Sequence, residues 1–188
     1  EECAQIREEL GLTVDDFVVA VIGELNDNKN QETIIRAIAA LKSECPELKA
    51  LFMGKGEQAE YLKKLCSELN VNDMVHFLGY RHDVNRILSV CDLGASASFR
   101  EGLGLNVIEE MAAGLPVIVS ENRGHKDIVT EDSGVLLKEN TAEEFAKAFC
   151  NLYNSPEKCE AISKNNLEYC KKFDIDAVKS LLLSIIEG

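Results

Sequence analysis

The chain has 188 residues, enough for one domain that buries roughly 70% of the surface its unfolded chain would expose. Its 20 Lys and Arg stand against 33 Asp and Glu, a net charge of −13 at pH 7; with no basic cluster set apart, that charge repels phosphate backbones and excludes nucleic acid as a partner. Seven scattered cysteines, an odd number with no pair at zinc or redox spacing, read as reduced thiols of a cytoplasmic protein, and no apolar run is long enough to span a bilayer.

The opening "EECAQIREELGL" carries a helical pattern, Ile6 and Leu10, stopped by Gly11. It lacks an initiator Met and a basic, apolar signal pattern, which sets the expectation of a non-secreted chain cut from something longer. From there short apolar runs alternate with helical periodicity. Strands are expected at 17–22, 49–53, 74–78, 93–97, 116–119 and 134–137, helices at 31–43, 58–69, 84–90 and 105–113, and a short turn at 126–129. This alternation predicts βα units feeding a parallel sheet covered on both faces, a doubly wound, Rossmann-like α/β fold in a single domain over residues 1–188. After Leu137 the pattern turns helical, with helices at 141–154, 156–172 and 176–186, the last containing "LLLSII". Thr141 with Glu144 reads as a capping box, Ser155 before Pro156 as an N-cap with proline in the first turn, and Gly114 then Pro116 as a helix stop.

In an open parallel sheet, ligands bind outside the carboxyl ends of the strands. The loops there are "GELNDNKN", "GKGE", "GYRHD", "SFREGLG" and "SENRGHKD", all polar or glycine-rich. On a helix starting near Leu105, the residues Leu105, Val107, Ile108, Met111 and Ala112 are expected to form the buried face. Glu109 then sits at the edge of that face and Glu110 points to water. A carboxylate on a half-buried edge needs donors, and a ligand hydroxyl pair would satisfy it. Gly102 and Gly104 let backbone N–H groups approach an anion closely, and the helix N-terminus adds partial positive charge. A ligand-free strand-to-helix turn is the plainer use of such glycines, but it does not explain two acids, Glu101 and Glu109, beside an anion site.

The stretch Glu101, Gly102, Leu103, Gly104, Leu105, then Glu109, Met111, Ala112, Gly114, Pro116, Val117 and Ile118 resembles the donor-binding signature of retaining glycosyltransferases of the family 4 type. In these, two glutamates separated by seven residues lie in an E-G-[FL]-G-L…E-A-M-A-x-G-x-P-V-I segment. "VIGELNDNKNQETIIRAIAAL" and "FMGKGE…VHFLGY" are similar to two further family segments, so the resemblance spans about residues 17–137. It implies a two-lobed GT-B enzyme of the hexosyltransferase type, possessing here only its C-terminal nucleotide-sugar-binding lobe, without the acceptor-binding N-terminal domain. By the same resemblance Glu109 holds the ribose hydroxyls, Glu101 holds hydroxyls of the transferred sugar, and Lys29 pairs with the diphosphate. The amides of Leu103, Gly104 and Leu105 share the phosphate load, and Gly23 and the "GYR" segment, Tyr80 and Arg81, border the nucleotide. Tyr80 or Arg81 either stacks on the base or is an ordinary loop residue.

Many relatives carry Arg after the first-loop glycine, whereas Gly23 is followed by Glu24. Glu24 either repels the diphosphate or turns away from it, and Arg100 or Arg123 is left to supply the charge. The expected partners are a nucleotide-sugar donor and the missing domain, with membrane contact only through that domain and self-association of the lobe through its last helix. The lobe alone is expected to be inactive, and no metal or other cofactor is expected. Bacterial surface polysaccharide is the family-level pathway.

Three competing motifs are weaker. "GKGEQA" (Gly54, Gly56, Ala59) meets the loose G-x-G-x-x-A dinucleotide pattern, but the next strand ends "HFLGY" with no acid for a ribose, which disfavours a dehydrogenase. Asp174 and Asp176 imitate an Asp-x-Asp metal motif yet lie between helices, where a cap is the better reading. Asp15 and Asp16 precede the first strand rather than follow it, and His76, His82 and His125 have no metal-ligand spacing and read as structural or surface groups. A non-catalytic nucleotide-binding or regulatory domain on the same fold is the alternative function.

Overall fold

The computed structural model describes residues 2–176 and 179. Among them six strands form one parallel sheet: β1 (Phe17–Ile22), β2 (Leu48–Met53), β3 (Val75–Gly79), β4 (Leu93–Ser96), β5 (Val117–Ser120) and β6 (Gly134–Leu137), in the order β3-β2-β1-β4-β5-β6. The helices are α1 (Glu2–Glu9), α2 (Gln31–Leu41), α3 (Ala59–Glu68), α4 (Val84–Leu88), α5 (Leu105–Ala112), α6 (Arg123–Ile128), α7 (Ala142–Tyr153) and α8 (Pro156–Tyr169), with a 3-10 turn at Cys170–Phe173. This is the doubly wound fold expected from the alternating pattern.

The sequence of β1, FVVAVI, shows why. Successive side chains point to opposite faces, and both faces are buried: Val19 and Val21 join the core under α2, α3 and α7, while Val18 and Ala20 join that under α4. Val117, Val119 and Ile128 pack with Val107 and Met111 of α5 in a third cluster. Phe145 and Phe149 of α7 are fully buried against the first face; truncating either to Ala costs about 3–5 kcal/mol.

The strand order reverses between β1 and β4, and these two pair only at Val19 with Leu93 and Ala20 with Gly94. β1 continues to Ile22 alongside β2, so the sheet opens at its carboxyl edge where chain direction across the sheet changes. Two loops flank that opening, 23–30 after β1 and 97–104 after β4.

The helical elements differ in detail from the sequence expectation. The turn at 126–129 is the end of α6, which begins earlier because the Asn122 side chain caps it, accepting from the His125 amide at 3.0 Å. Thr141 Oγ1 accepts from the Glu144 amide at 3.3 Å, but the Glu144 carboxylate binds Lys147 at 2.9 Å instead of reaching back, so one half of the capping box forms. Ser155 precedes α8 without a capping bond from its hydroxyl. The helix expected at 176–186, with "LLLSII", lies outside the described residues apart from 176 and 179. No helix among the described residues is long and apolar enough to cross a membrane.

Candidate functional site

The two loops at the opening are stitched together. The Phe99 amide donates to the Asn28 carbonyl at 2.8 Å, and Asn28 Nδ2 donates to the Arg100 carbonyl at 3.0 Å. Lys29 begins the turn into α2, its amide held by Asn26 Oδ1 at 3.0 Å. Its side chain runs across Gly23, where a Cβ would come within 3.2 Å of Lys29 Cε, and Nζ reaches Glu101 Oε1 at 2.5 Å. Burial pushes the Glu101 carboxyl up, but the Lys29 ammonium and the Ser98 hydroxyl together outweigh it and hold the group below the usual carboxylate range.

After Glu101 the chain enters the turn that starts α5. Gly104 has φ +74°, and a Cβ there would sit 3.2 Å from His125 Cδ2 and 3.3 Å from Ile128 Cδ1. Conformation and space both demand glycine. Among the described residues no acceptor takes the amides of Leu103, Gly104 or Leu105. They form the unsatisfied N-terminus of α5, in the turn that follows Glu101.

The face of α5 is rotated from the sequence expectation. Its buried residues are Val107, Glu110 and Met111, while Leu105 is 65% exposed and Leu103 46% exposed. Glu110, expected in water, is fully buried, and Glu109 is exposed. The left-handed Gly104 sets the phase of the helix so that 107, 110 and 111 face inward, one i, i+3, i+4 stripe. Gly94 of β4 makes the space: a Cβ at that position would lie 2.4 Å from Glu110 Oε2. Neither Glu110 oxygen has a hydrogen bond of good geometry. Burial pushes its carboxyl well above the usual range and Glu109 adds to the push, against weaker pulls from Lys29 and the Ile22 backbone.

Glu109 instead lines a cavity of about 580 Å³ at the carboxyl ends of β1, β2 and β3, together with Gly23, Glu24, Tyr80 and Arg81. Four residues predicted from sequence, Gly23, Tyr80, Arg81 and Glu109, therefore share one hollow, and the Lys29 side chain passes over Gly23 to reach Glu101. Tyr80 is 63% exposed and meets His82 edge-on at 4.8 Å. Arg81 is held by Asp83 through two bonds, Nε at 2.8 Å and Nη2 at 2.7 Å, so its guanidinium is already engaged. The Glu24 carboxylate takes a bond from Asn26 Nδ2 at 3.0 Å, bending back onto its own loop. Arg100 and Arg123 are exposed, the first preceding Glu101 in the chain and the second preceding Gly124, which packs on Glu101. A larger groove of about 710 Å³ lies between α2 and α7 and contains none of these residues.

Sequence reasoning missed the polar cluster beneath Glu101. The Ser98 carbonyl accepts from Ser120 Oγ at 2.6 Å and Asn122 Nδ2 at 3.0 Å, and His125 Nδ1 lies 2.7 Å from the Ser120 carbonyl. His125 is fully buried, the structural rather than the surface alternative of the two expected. The position of "NRGH" at a strand end was the available signal. Asn106 Nδ2 also ties α5 to the Ile22 carbonyl at 3.1 Å.

The competing motifs have structural explanations. A Cβ at Gly54 would lie 1.8 Å from the Gly23 carbonyl oxygen, and one at Gly56 2.1 Å from that of Leu25; both glycines serve packing between loops. Asp174 Oδ1 accepts from the Asp176 amide at 2.9 Å, a capping bond.

The family model of the glycosyl transferases group 1 matches residues 3–169. The putative glycosyltransferase EpsD of Bacillus subtilis (strain 168) is 35% identical over 173 residues, 92% of this chain and 45% of that protein. The lipopolysaccharide core biosynthesis glycosyltransferase LpsE of Rhizobium meliloti (strain 1021) is 30% identical over 143 residues, 76% of this chain and 41% of that one. Among solved structures, Anabaena Alr3699/HepE in complex with UDP-glucose superposes with a TM-score of 0.90 at 26% identity, covering 99% of this chain and 52% of that one. The chain thus spans under half the length of these two curated relatives and about half that of the solved structure.

Proposed function

Because the chain belongs to the glycosyl transferases group 1 family, we propose that it is the donor-binding lobe of a family 4, GT-B enzyme that transfers a hexose from a nucleoside-diphosphate sugar with retention at the anomeric carbon. The observation that carries the reading is the Lys29–Glu101 pair at the entry to a turn whose Leu103, Gly104 and Leu105 amides have no acceptor, on the same helix whose Glu109 lines the hollow. A cation and main-chain donors suit a diphosphate, and the flanking carboxylates suit sugar hydroxyls.

In this reading the bond between the anomeric carbon and the diphosphate oxygen breaks, the acceptor oxygen bonds to the same face of that carbon, and the acceptor proton passes to the departing phosphate. The developing charge is on the leaving group, so catalysis rests on Lys29 and the α5 N-terminus rather than on a strong base. Glu101 holds the transferred sugar and Glu109 the ribose, while Gly23, Tyr80 and Arg81 border the nucleoside. Gly102 allows the turn to approach the phosphates. No metal is needed.

The acceptor is assigned to an N-terminal lobe of the whole protein, so the chain alone binds donor without transferring sugar. A cytoplasmic enzyme of polysaccharide assembly is the setting proposed. UDP-glucose is the first probe, since the Anabaena relative was solved with it. Titration followed by amide shifts should perturb Lys29, Gly104 and Glu109 together; binding with shifts confined to Gly54 and Gly56, or no binding by any uridine, guanosine or adenosine diphosphate sugar, overturns the reading.

A further inference from the structure

His125 is a fully buried residue next to the phosphate turn whose ring is only half used. Nδ1 lies 2.7 Å from the Ser120 carbonyl, which can only accept, and 2.9 Å from Asn122 Nδ2, which already donates to the Ser98 carbonyl; the shorter contact assigns the proton to Nδ1, donated to Ser120. Nε2 is then a bare acceptor, and it has no partner. That nitrogen faces the turn: a Cβ at Gly104 would lie 3.7 Å from it. The adjacent Gly124 is packed on Glu101, where a Cβ would come within 2.9 Å of Glu101 Cβ. A buried nitrogen without a partner is destabilising, and a second state of the site can relieve that.

The charged groups acting on the ring come from the two stitched loops. Glu101, from the loop after β4, favours the imidazolium, and Lys29, from the loop after β1, opposes it. On its own helix, Arg123, Lys126 and Asp127 are exposed, and Glu121, at the end of β5, is paired with Lys126 at 2.7 Å. Burial is the largest influence and holds His125 below the usual histidine range, so the free site holds it neutral at pH 7 and Glu101 is ion-paired with Lys29.

Lys29 has two claims on it: Glu101 in the free site, and the diphosphate in the donor reading on which this inference rests. We propose that His125 is a positioning residue which takes up one proton as the diphosphate draws Lys29 from Glu101, so that an imidazolium replaces the ammonium as the cationic neighbour of that carboxylate. The proton comes from solvent and enters Nε2; no bond to the donor forms or breaks. Glu101 thereby stays ionised and oriented while Lys29 serves the leaving group.

The test is calorimetric titration of the chain with UDP-glucose at pH 7 in buffers of differing ionisation enthalpy. UDP-glucose itself has no group that titrates near neutral pH, so proton uptake reports the protein. The expected result is an observed heat that varies with buffer as net uptake requires, and an affinity that falls by up to about tenfold per pH unit as pH rises between the free and bound pKa values of the ring. His125→Gln and Glu101→Gln should each abolish the buffer dependence. Ring nitrogen shifts of His125 in the unaltered chain, moving from neutral to protonated on saturation, give the same answer without a variant. Binding without uptake, uptake that survives in His125→Gln, or unchanged ring shifts overturns the proposal while leaving the donor site intact. Absence of binding by every nucleoside-diphosphate sugar overturns the donor reading and this inference with it.

Discussion

Lys29 and Glu101 stand 72 residues apart in the chain and meet at 2.5 Å across the opening between β1 and β4. A half-buried ammonium paired with the carboxylate that leads into a turn of unpartnered amides is poised to exchange that carboxylate for a phosphate. Lys29→Ala should therefore weaken binding of nucleoside diphosphates by about tenfold or more, the weight of one charge-assisted bond of ~1.5–3 kcal/mol. Binding of the bare nucleoside should be unaltered. Equal losses for both ligands, measured by titration, would place Lys29 outside the phosphate site.

The same pair sets an acid-side stability dependence. The Glu101 carboxyl is held below its usual value of 4.5, so the folded state favours the ionised form. Its contribution to stability is present above the unfolded pKa and is lost as pH falls through the folded one. Denaturant unfolding of the wild type and Lys29→Ala should thus show a stability gap near pH 6 that narrows toward pH 3. A gap independent of pH would mean that the ion pair adds nothing.

Glu109 is exposed at the hollow and forms no ion pair among the described residues, so its charge acts within the fold only as a secondary push on the Glu110 carboxyl. Glu109→Gln should change stability by less than about 0.5 kcal/mol and should lower affinity for the nucleoside itself, by fluorescence or calorimetric titration. An unfolding midpoint that shifts with unaltered nucleoside affinity contradicts the role given to it.

Much of this was legible because parallel strands and anion-binding turns leave strong marks. The run FVVAVI predicts β1 at its observed bounds, since a strand buried on both faces must be apolar throughout. "EGLGL" marks a turn whose Gly104 only glycine suits, and the family resemblance singles out Lys29 and Glu101, though not their pairing with each other. The phase of α5 was not legible. A hydrophobicity argument sends Glu110 to water and Leu105 inward, and only the left-handed Gly104 and the missing side chain of Gly94 reverse this. His125 was hidden for a related reason: its importance comes from a carbonyl five residues away and a glycine on another loop, contacts that no local pattern encodes.

Tyr80 and Arg81 differ in how free they are. Arg81 is locked to Asp83 by two bonds, whereas the Tyr80 ring is largely open beside the hollow. Tyr80→Ala should weaken nucleoside binding by ~1–3 kcal/mol if a base stacks on it, and Arg81→Ala should do less. A larger effect from Arg81→Ala in parallel titrations would reverse the assignment.

Glu110 and Gly94 offer a test of packing and charge together. Gly94→Ala places a methyl group where Glu110 Oε2 now lies, 2.4 Å away, so it should destabilise the chain, and Glu110→Ala should recover part of that loss. A double-mutant cycle should give a coupling of about 0.5–3 kcal/mol; simple additivity would mean the two do not touch. Charge is read separately through pH. The Glu110 carboxyl is raised well above 4.5 by burial, so the fold favours its protonated form. That advantage is complete below the unfolded pKa and is lost as pH rises through the folded one. Glu110→Gln keeps the shape and has no proton to lose. Its buried amide also lacks partners, so the absolute stability can fall either side of the wild type, but the variant must gain on the wild type steadily as pH is raised from 5 to 8. If the two unfolding curves keep a constant separation across that range, the carboxyl is not a buried acid.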